Sequence, residues 1–168
     1  MSFRNNPPAG QARRLAMSAL LTALALIFSY VEAVIPLPVG IPGVKLGLAN
    51  LVVLVALYKL DLRYAIAVNL IRILTNALLF TGLMGALFSL AGGFLSLTGM
   101  ALLKKTGLFS IIGVSMAGGV LHNLGQIAVA AWLMSTGRIF FYLPLLMFSG
   151  IGSGILIGAI AYYIVRVL

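Results

Sequence analysis

The chain has 168 residues, of which 62% are hydrophobic and 8% are charged, with a net charge of +9 and a mean hydropathy of +1.19. Soluble domains carry about 25% charged residues, so this composition predicts an all-α integral membrane protein in a lipid bilayer. The chain has no cysteine, no GxxxxGK[ST] phosphate-binding loop, and only two acidic residues, Glu32 and Asp61. We therefore expect no thiolate chemistry, no ATP hydrolysis, no metal site and no enzyme activity in this chain.

Apolar runs, cut at charges, prolines and glycines, predict six transmembrane helices. They lie at 12–34, 46–59, 63–80, 83–103, 109–135 and 139–167. The second is too short to cross a bilayer unless it is tilted or the preceding loop dips into the membrane. We expect a flexible cytoplasmic tail at 1–11, with no signal peptide because no small-residue cleavage site follows the first apolar run, and one transmembrane domain at 12–168.

The segment 35–45, IPLPVGIPGVK, contains three prolines and is predicted to be stiff and non-helical. We interpret it as an ordered cap over one end of the helix bundle, with a plain connector as the alternative.

The basic residues indicate the orientation. With the N-terminus inside, six crossings place eight of them on the cytoplasmic side and leave only Lys45 and Arg138 outside. The eight are Arg4, Arg13, Arg14, Lys59, Arg63, Lys104, Lys105 and Arg166. This positive-inside bias predicts that both termini are cytoplasmic, and the dispersed basic residues argue against nucleic-acid binding.

Two helices carry stripes of small residues, which allow another helix to approach closely. In the first helix the stripe is Ala12, Ala16, Ala19 and Ala23. In the sixth helix it is Gly150, Gly154 and Gly158. Spacing alone leaves the alanine stripe open between docking of an external partner and internal packing, and it favours internal packing for the glycines.

The stretch NLIRILTN, residues 69–76, places three polar side chains on one face of an apolar helix. Asn69, Arg72 and Asn76 follow each other at i, i+3 and i+7. An arginine at mid-span costs about 2.5–3.5 kcal/mol on insertion scales, so it should face the bundle interior or a cavity. Its guanidinium stays protonated, so some other group must satisfy it.

Further polar residues stand in the other apolar helices: Asn50, His122, Asn123 and Gln126. In one interpretation, Arg72 binds an anionic substrate group and the amides and histidine orient the rest of the molecule. In the other, Arg72 is held by asparagines, helix carbonyls and Glu32, and only locks the bundle.

The alanine-striped first helix (ARRLAMSALLTALAL) and the proline-rich loop resemble the substrate-binding S components of energy-coupling factor (ECF) transporters. The stretches PGVKLGLANLVVLVALY, NLIRILTNALLFTG and GGVLHNLGQ are similar to the Gx transporter family, also labelled heptaprenyl diphosphate synthase component I. The resemblance implies a six-helix S component-like bundle that docks through an AxxxA pattern, matched by Ala12 and Ala16 and by Ala19 and Ala23. Its partners would be a transmembrane coupling protein and two ABC-type ATPases that use ATP.

The sequence therefore predicts a substrate-binding subunit of an ECF-type importer, multi-pass in the cytoplasmic membrane of a bacterium. The substrate would be small and anionic, either a vitamin- or flavin-type cofactor precursor or an isoprenoid-type compound. The alternatives are a non-catalytic accessory subunit of prenyl diphosphate, quinone or redox machinery, and a transporter or channel that acts alone. The synthase label cannot denote a catalytic subunit, because prenyl diphosphate synthases hold magnesium with aspartate-rich motifs and Asp61 is the only aspartate.

Overall fold

The computed structural model describes residues 9–34 and 47–168, and all regular structure within them is helical. The six α-helices are α1 (Ala9–Val34), α2 (Leu48–Lys59), α3 (Leu62–Asn76), α4 (Gly82–Thr106), α5 (Ile111–Met134) and α6 (Leu143–Val167). The all-α fold class is confirmed. The predicted cap at 35–45 and most of the predicted tail lie outside the described residues.

Helix ends follow the local chemistry of the chain. Asp61 caps α3, since its Oδ1 accepts hydrogen bonds from the backbone N–H groups of Arg63 at 2.8 Å and Tyr64 at 3.3 Å. Ser110 caps α5 by accepting from the N–H of Gly113 at 3.1 Å. Gly107, with φ of 69°, ends α4 in the left-handed conformation that glycine adopts without strain.

Several helix boundaries differ from the prediction by one to four residues, and three of them are informative. The helix predicted at 63–80 continues past Asn76 as a π-helical turn, Ala77–Thr81. The last helix begins at Leu143 rather than 139, after a 3₁₀ turn at Gly137–Tyr142, because Pro144 fits the first turn of a helix but not its interior. At the other end of the chain, α1 begins at Ala9, within the predicted tail.

Contacts between helix ends show that consecutive helices from α1 to α4 run antiparallel. Near the start of α1, Arg14 Nη1 lies 3.8 Å from Oδ2 of Asp61, which stands at the junction of α2 and α3. Lys104, near the end of α4, donates to the carbonyl of Leu57 near the end of α2, at 2.6 Å. At the opposite end of α1, Glu32 accepts from the N–H of Leu48. The basic residues at these helix ends therefore gather at one end of the bundle: Arg13, Arg14, Lys59, Arg63, Lys104 and Lys105.

Four apolar helical stretches in the described part of the chain are long enough to cross a membrane: Gly10–Glu32, Leu62–Thr106, Ile111–Met134 and Gly137–Val167. A straight helix over 62–106 would be about 68 Å long, more than twice the hydrocarbon core of a bilayer. The chain instead turns at Gly82, where φ is 64°, and α3 packs against α4. The chain is a multi-pass membrane protein.

The short helix α2 forms the centre of the bundle. Every residue from Leu51 to Leu57 is buried, and α2 packs against α1, α3, α4 and α6. A 12-residue helix is about 18 Å long, too short to span a bilayer alone. This all-round burial explains why the stretch 51–57 is uniformly apolar and has no polar face.

Glycines bring α4, α5 and α6 into close contact. Gly150, Gly154 and Gly158 are packed directly onto α5, so the seam predicted on the last helix lies within the bundle. A Cβ at Gly154 would lie 2.5 Å from the Cα of Met116, and a Cβ at Gly158 would lie 2.7 Å from the Cα of Ile112. Between α4 and α5, a Cβ at Gly125 would lie 2.6 Å from the carbonyl oxygen of Ala91.

Adding one methyl group to this seam should separate α5 from α6. We expect Gly154→Ala to destabilise the protein by about 1–3 kcal/mol, because the added Cβ meets backbone that cannot move aside. Gly152→Ala is the matched control on the same helix, since Gly152 is exposed and has no heavy atom within 4 Å of its Cβ position.

Thermal unfolding in mild detergent, followed by circular dichroism, measures both variants. An equal melting temperature for Gly154→Ala and Gly152→Ala would show that the seam is not close-packed.

Candidate functional site

A polar cavity of about 60 Å³ lies inside the bundle, and all six helices contribute to its lining. Six of the seven predicted substrate-binding residues line it: Asn50, Arg72, Asn76, His122, Asn123 and Gln126. These residues come from α2, α3 and α5, so the fold gathers side chains that are up to 76 positions apart in sequence, the separation of Asn50 and Gln126.

Arg72 supplies the positive charge of the cavity. It is only 8% exposed, and its Nη2 donates a hydrogen bond to Asn69 Oδ1 at 2.7 Å. Its Nε has no hydrogen-bond partner among the described residues, and no acidic side chain in that part of the chain lies within ion-pair distance of the guanidinium. A guanidinium has five N–H donors, so most of the donor capacity of Arg72 is available to a group inside the cavity.

The two asparagines beside Arg72 hold different positions. Asn69 is 5% exposed and does not line the cavity. Its Oδ1 accepts the hydrogen bond from Arg72 and so helps to orient the guanidinium, which makes Asn69 a positioning residue. Asn76 does line the cavity, and its buried Oδ1 has no hydrogen-bond partner in the described residues. Asn76 is the last α-helical residue before the π-helical turn at Ala77–Thr81, a type of irregularity that is frequent at functional sites.

The polar cluster on α5 forms the facing wall. His122 packs against Gly92 of α4, where a Cβ would lie 3.0 Å from the imidazole ring, so only glycine leaves room for it. Asn123 Nδ2 donates to the carbonyl of Leu146 at 2.6 Å and thereby links α5 to α6. Gln126 lies one helical turn beyond His122 and also lines the cavity.

Glu32 lines the same cavity from the end of α1, but it is not an ion-pair partner of Arg72. Its Oε1 accepts the backbone N–H of Leu48 at 2.8 Å, which satisfies a free donor in the first turn of α2. The proposed lock between Arg72 and Glu32 is therefore absent as a direct contact among the described residues.

Sequence reasoning missed the serine hydroxyls of the cavity. The lining serines are Ser29, Ser89, Ser96, Ser115 and Ser153. Serine is common in packed membrane helices, so no single one stands out. A signal was nevertheless present, because Ser89 and Ser96 on α4 and Ser115 and His122 on α5 are each seven residues apart and so share a helix face.

The cavity can bind a small charged group through many hydrogen bonds. It combines one guanidinium, several amides, an imidazole and five hydroxyls, but its volume is well below the ~300–1,000 Å³ typical of sites for whole small molecules. A larger space of about 690 Å³ lies between α3 and α4, yet it is lined mainly by apolar side chains and lacks such a convergent polar set.

The four alanines predicted to dock a partner lie on the outer surface of α1. Ala12, Ala16, Ala19 and Ala23 are all exposed. The opposite face of the helix carries the buried residues Ser18, Leu21, Ala25 and Ser29, which face the rest of the bundle. The alanine stripe is thus not used for packing within the described part of the chain.

Residues 21–164 match the family model described as heptaprenyl diphosphate synthase component I. Neither the curated proteins nor the solved structures give a significant match. The matched segment includes α2, α3, α4 and α5 in full, about half of α1, most of α6 and the whole polar cavity. This apolar, helical membrane protein belongs to the heptaprenyl diphosphate synthase component I family.

Proposed function

We propose that this chain is the substrate-binding subunit, similar to an S component, of an ECF-type importer in the cytoplasmic membrane of a bacterium. It would take up a small molecule with an anionic group from outside and deliver it inward. The transmembrane coupling protein and the ABC-type ATPases would be separate chains, and ATP would be used by those ATPases. In this proposal the chain itself catalyses no reaction.

The observation that carries the proposal is the unpaired buried arginine in the polar cavity. A buried charge is unfavourable unless it is paired, and Arg72 has one neutral partner in the described structure, Asn69. An anionic group from outside the chain would supply the missing charge and use the donor at Nε. A bound anionic ligand would explain why a buried arginine stands where the described residues give it only one hydrogen-bond partner.

The outer face of α1 supports the second half of the proposal, which is docking to a coupling protein. Four exposed alanines on one helix face allow a second helix to approach closely, and in a membrane such contacts are driven by close packing rather than by hydrophobic burial. The end of α1 where this stripe begins carries Arg13 and Arg14, which the positive-inside rule places in the cytoplasm.

The size of the cavity limits what this conformation can hold. About 60 Å³ accommodates a carboxylate- or phosphate-sized group or a few water molecules. A whole cofactor precursor would require the helices around the cavity to separate, so the proposed cycle includes a state that is more open than this one.

The alternative is a non-catalytic membrane partner of a prenyl diphosphate synthase, and it is favoured by the family name. Two acidic side chains cannot supply an aspartate-rich magnesium site, so a separate catalytic chain would be needed. Purification with each candidate set of partners distinguishes the two functions, because only the importer needs ABC-type ATPases.

Enlarging the alanine stripe should block docking without unfolding the protein. We expect the double variant Ala16→Leu, Ala19→Leu to lose co-purification with the coupling protein and ATPases of the same genome, because the larger side chains hold a partner helix away. Ala128→Leu is the control, since Ala128 is an exposed alanine on α5.

Co-expression and affinity purification in mild detergent measure this effect. Retention of the importer subunits by the double variant would contradict docking through α1, and retention of a prenyltransferase instead would favour the accessory role.

Replacing Arg72 should change ligand binding more than stability. We expect the melting temperature of ligand-free Arg72→Met to lie within a few degrees of that of the wild type. The guanidinium makes one described hydrogen bond, and its burial is unfavourable. Thermal unfolding measures this, with Gly154→Ala as the reference for a structural loss. A collapse of the folded bundle in Arg72→Met would instead make Arg72 a structural lock.

A further inference from the structure

We infer that the ligand of the cavity is a compact zwitterion, whose anionic group binds Arg72 and whose cationic amine binds Glu32. The inference rests on the proposed substrate-binding function and narrows it, since an anion alone would leave one charge of the cavity unmatched.

Two opposite charges line the cavity without pairing to each other. Among the described lining residues, Arg72 and Glu32 are the only side chains of the Lys, Arg, Asp and Glu types. Their N and O atoms are not within 4.0 Å, the limit for an ion pair; Arg14 and Asp61 form the one such pair found in the described residues. Placed directly together, these side chains would neutralise each other and leave little for a ligand.

Each of the two charges retains binding capacity. Arg72 uses one Nη2 donor for Asn69, and its Nε is unpaired in the part of the chain that is described. The hydrogen bond of Glu32 to the N–H of Leu48 uses Oε1 alone, whereas a carboxylate has about four acceptor positions. A donor group of a ligand can therefore be added at Glu32 without displacing the cap on α2.

The charge balance of the cavity favours a ligand that carries both signs. A simple anion would introduce a second negative charge beside Glu32, and a simple cation would introduce a second positive charge beside Arg72. Like charges in a poorly solvated site repel strongly. A zwitterion keeps the site neutral and gives a partner both to the buried guanidinium of Arg72 and to the half-buried carboxylate of Glu32.

The lining indicates a compact polar molecule rather than a flat ring. No aromatic ring other than the His122 imidazole lines the cavity among the described residues, and the segment 35–46, outside them, contains no Phe, Tyr, Trp or His. Five serine hydroxyls and four side-chain amides offer hydrogen bonds instead of stacking surfaces. Amino-acid-like compounds fit this chemistry better than flavin-type rings or isoprenoid chains.

The probes that test the inference are matched sets of small molecules. Glycine, β-alanine and γ-aminobutanoate are zwitterions of increasing length, and each is compared with the carboxylic acid and the amine of the same length. The readout is the melting temperature of the purified protein at increasing probe concentration. We expect at least one amino acid to stabilise the wild type more than its acid or its amine.

Glu32→Gln is the decisive variant, because glutamine keeps an oxygen that can accept the N–H of Leu48 while it removes the charge. Its melting temperature without probe should match the wild type. We expect its apparent affinity for the amino acid to fall about tenfold or more, and its affinity for the matching acid to rise.

The other outcomes separate two failures. If the wild type binds the acid more tightly than the amino acid, the zwitterion inference is wrong and the cavity is a simple anion site. The same conclusion follows if Glu32→Gln binds the amino acid more tightly than the wild type does. If no probe shifts the melting temperature, native mass spectrometry of the wild type decides. A retained molecule with both an acid and a basic nitrogen supports the inference, one without basic nitrogen overturns it, and an empty protein overturns the proposed function itself.

Discussion

A guanidinium that cannot lose its proton, placed inside an apolar helix bundle, is the constraint around which this structure is arranged. Arg72 must face inward, and so the face of α3 that carries Asn69 and Asn76 must face inward too. The helices around it must then provide polar atoms and space rather than a filled core. The result is a hydrogen-bonding cavity lined by all six helices, in a chain that is 62% hydrophobic.

The rest of the fold makes such a cavity possible in a chain this small. The buried apolar stretch 51–57 of α2 fills the centre of the bundle, and the glycine seams hold α4, α5 and α6 close enough to surround a small space. The alanines on the outer face of α1 take no part in this packing. Internal packing and the proposed partner surface therefore use different small residues, glycine in the seams and alanine on α1.

The helices and much of the cavity could be predicted because polar residues are rare in this chain. Arg72 and Asn76 on α3, and His122 and Gln126 on α5, stand out against apolar neighbours, and helical spacing shows which of them share a face. The serines could not be singled out, because serine also occurs where helices simply pack. Whether Asn69 contacts the cavity or supports Arg72 depends on the rotation of α3, and the contact of Glu32 with Leu48 depends on how α1 meets α2.

The central claim, that the cavity binds a small molecule through Arg72, is tested most directly by native mass spectrometry. The wild type, purified from its own host in mild detergent, is compared with Arg72→Met at equal folded fraction. We expect a small-molecule mass that is retained on the wild type and absent from the variant. A wild type that carries no small molecule, or one that is retained equally by Arg72→Met, would contradict the central claim.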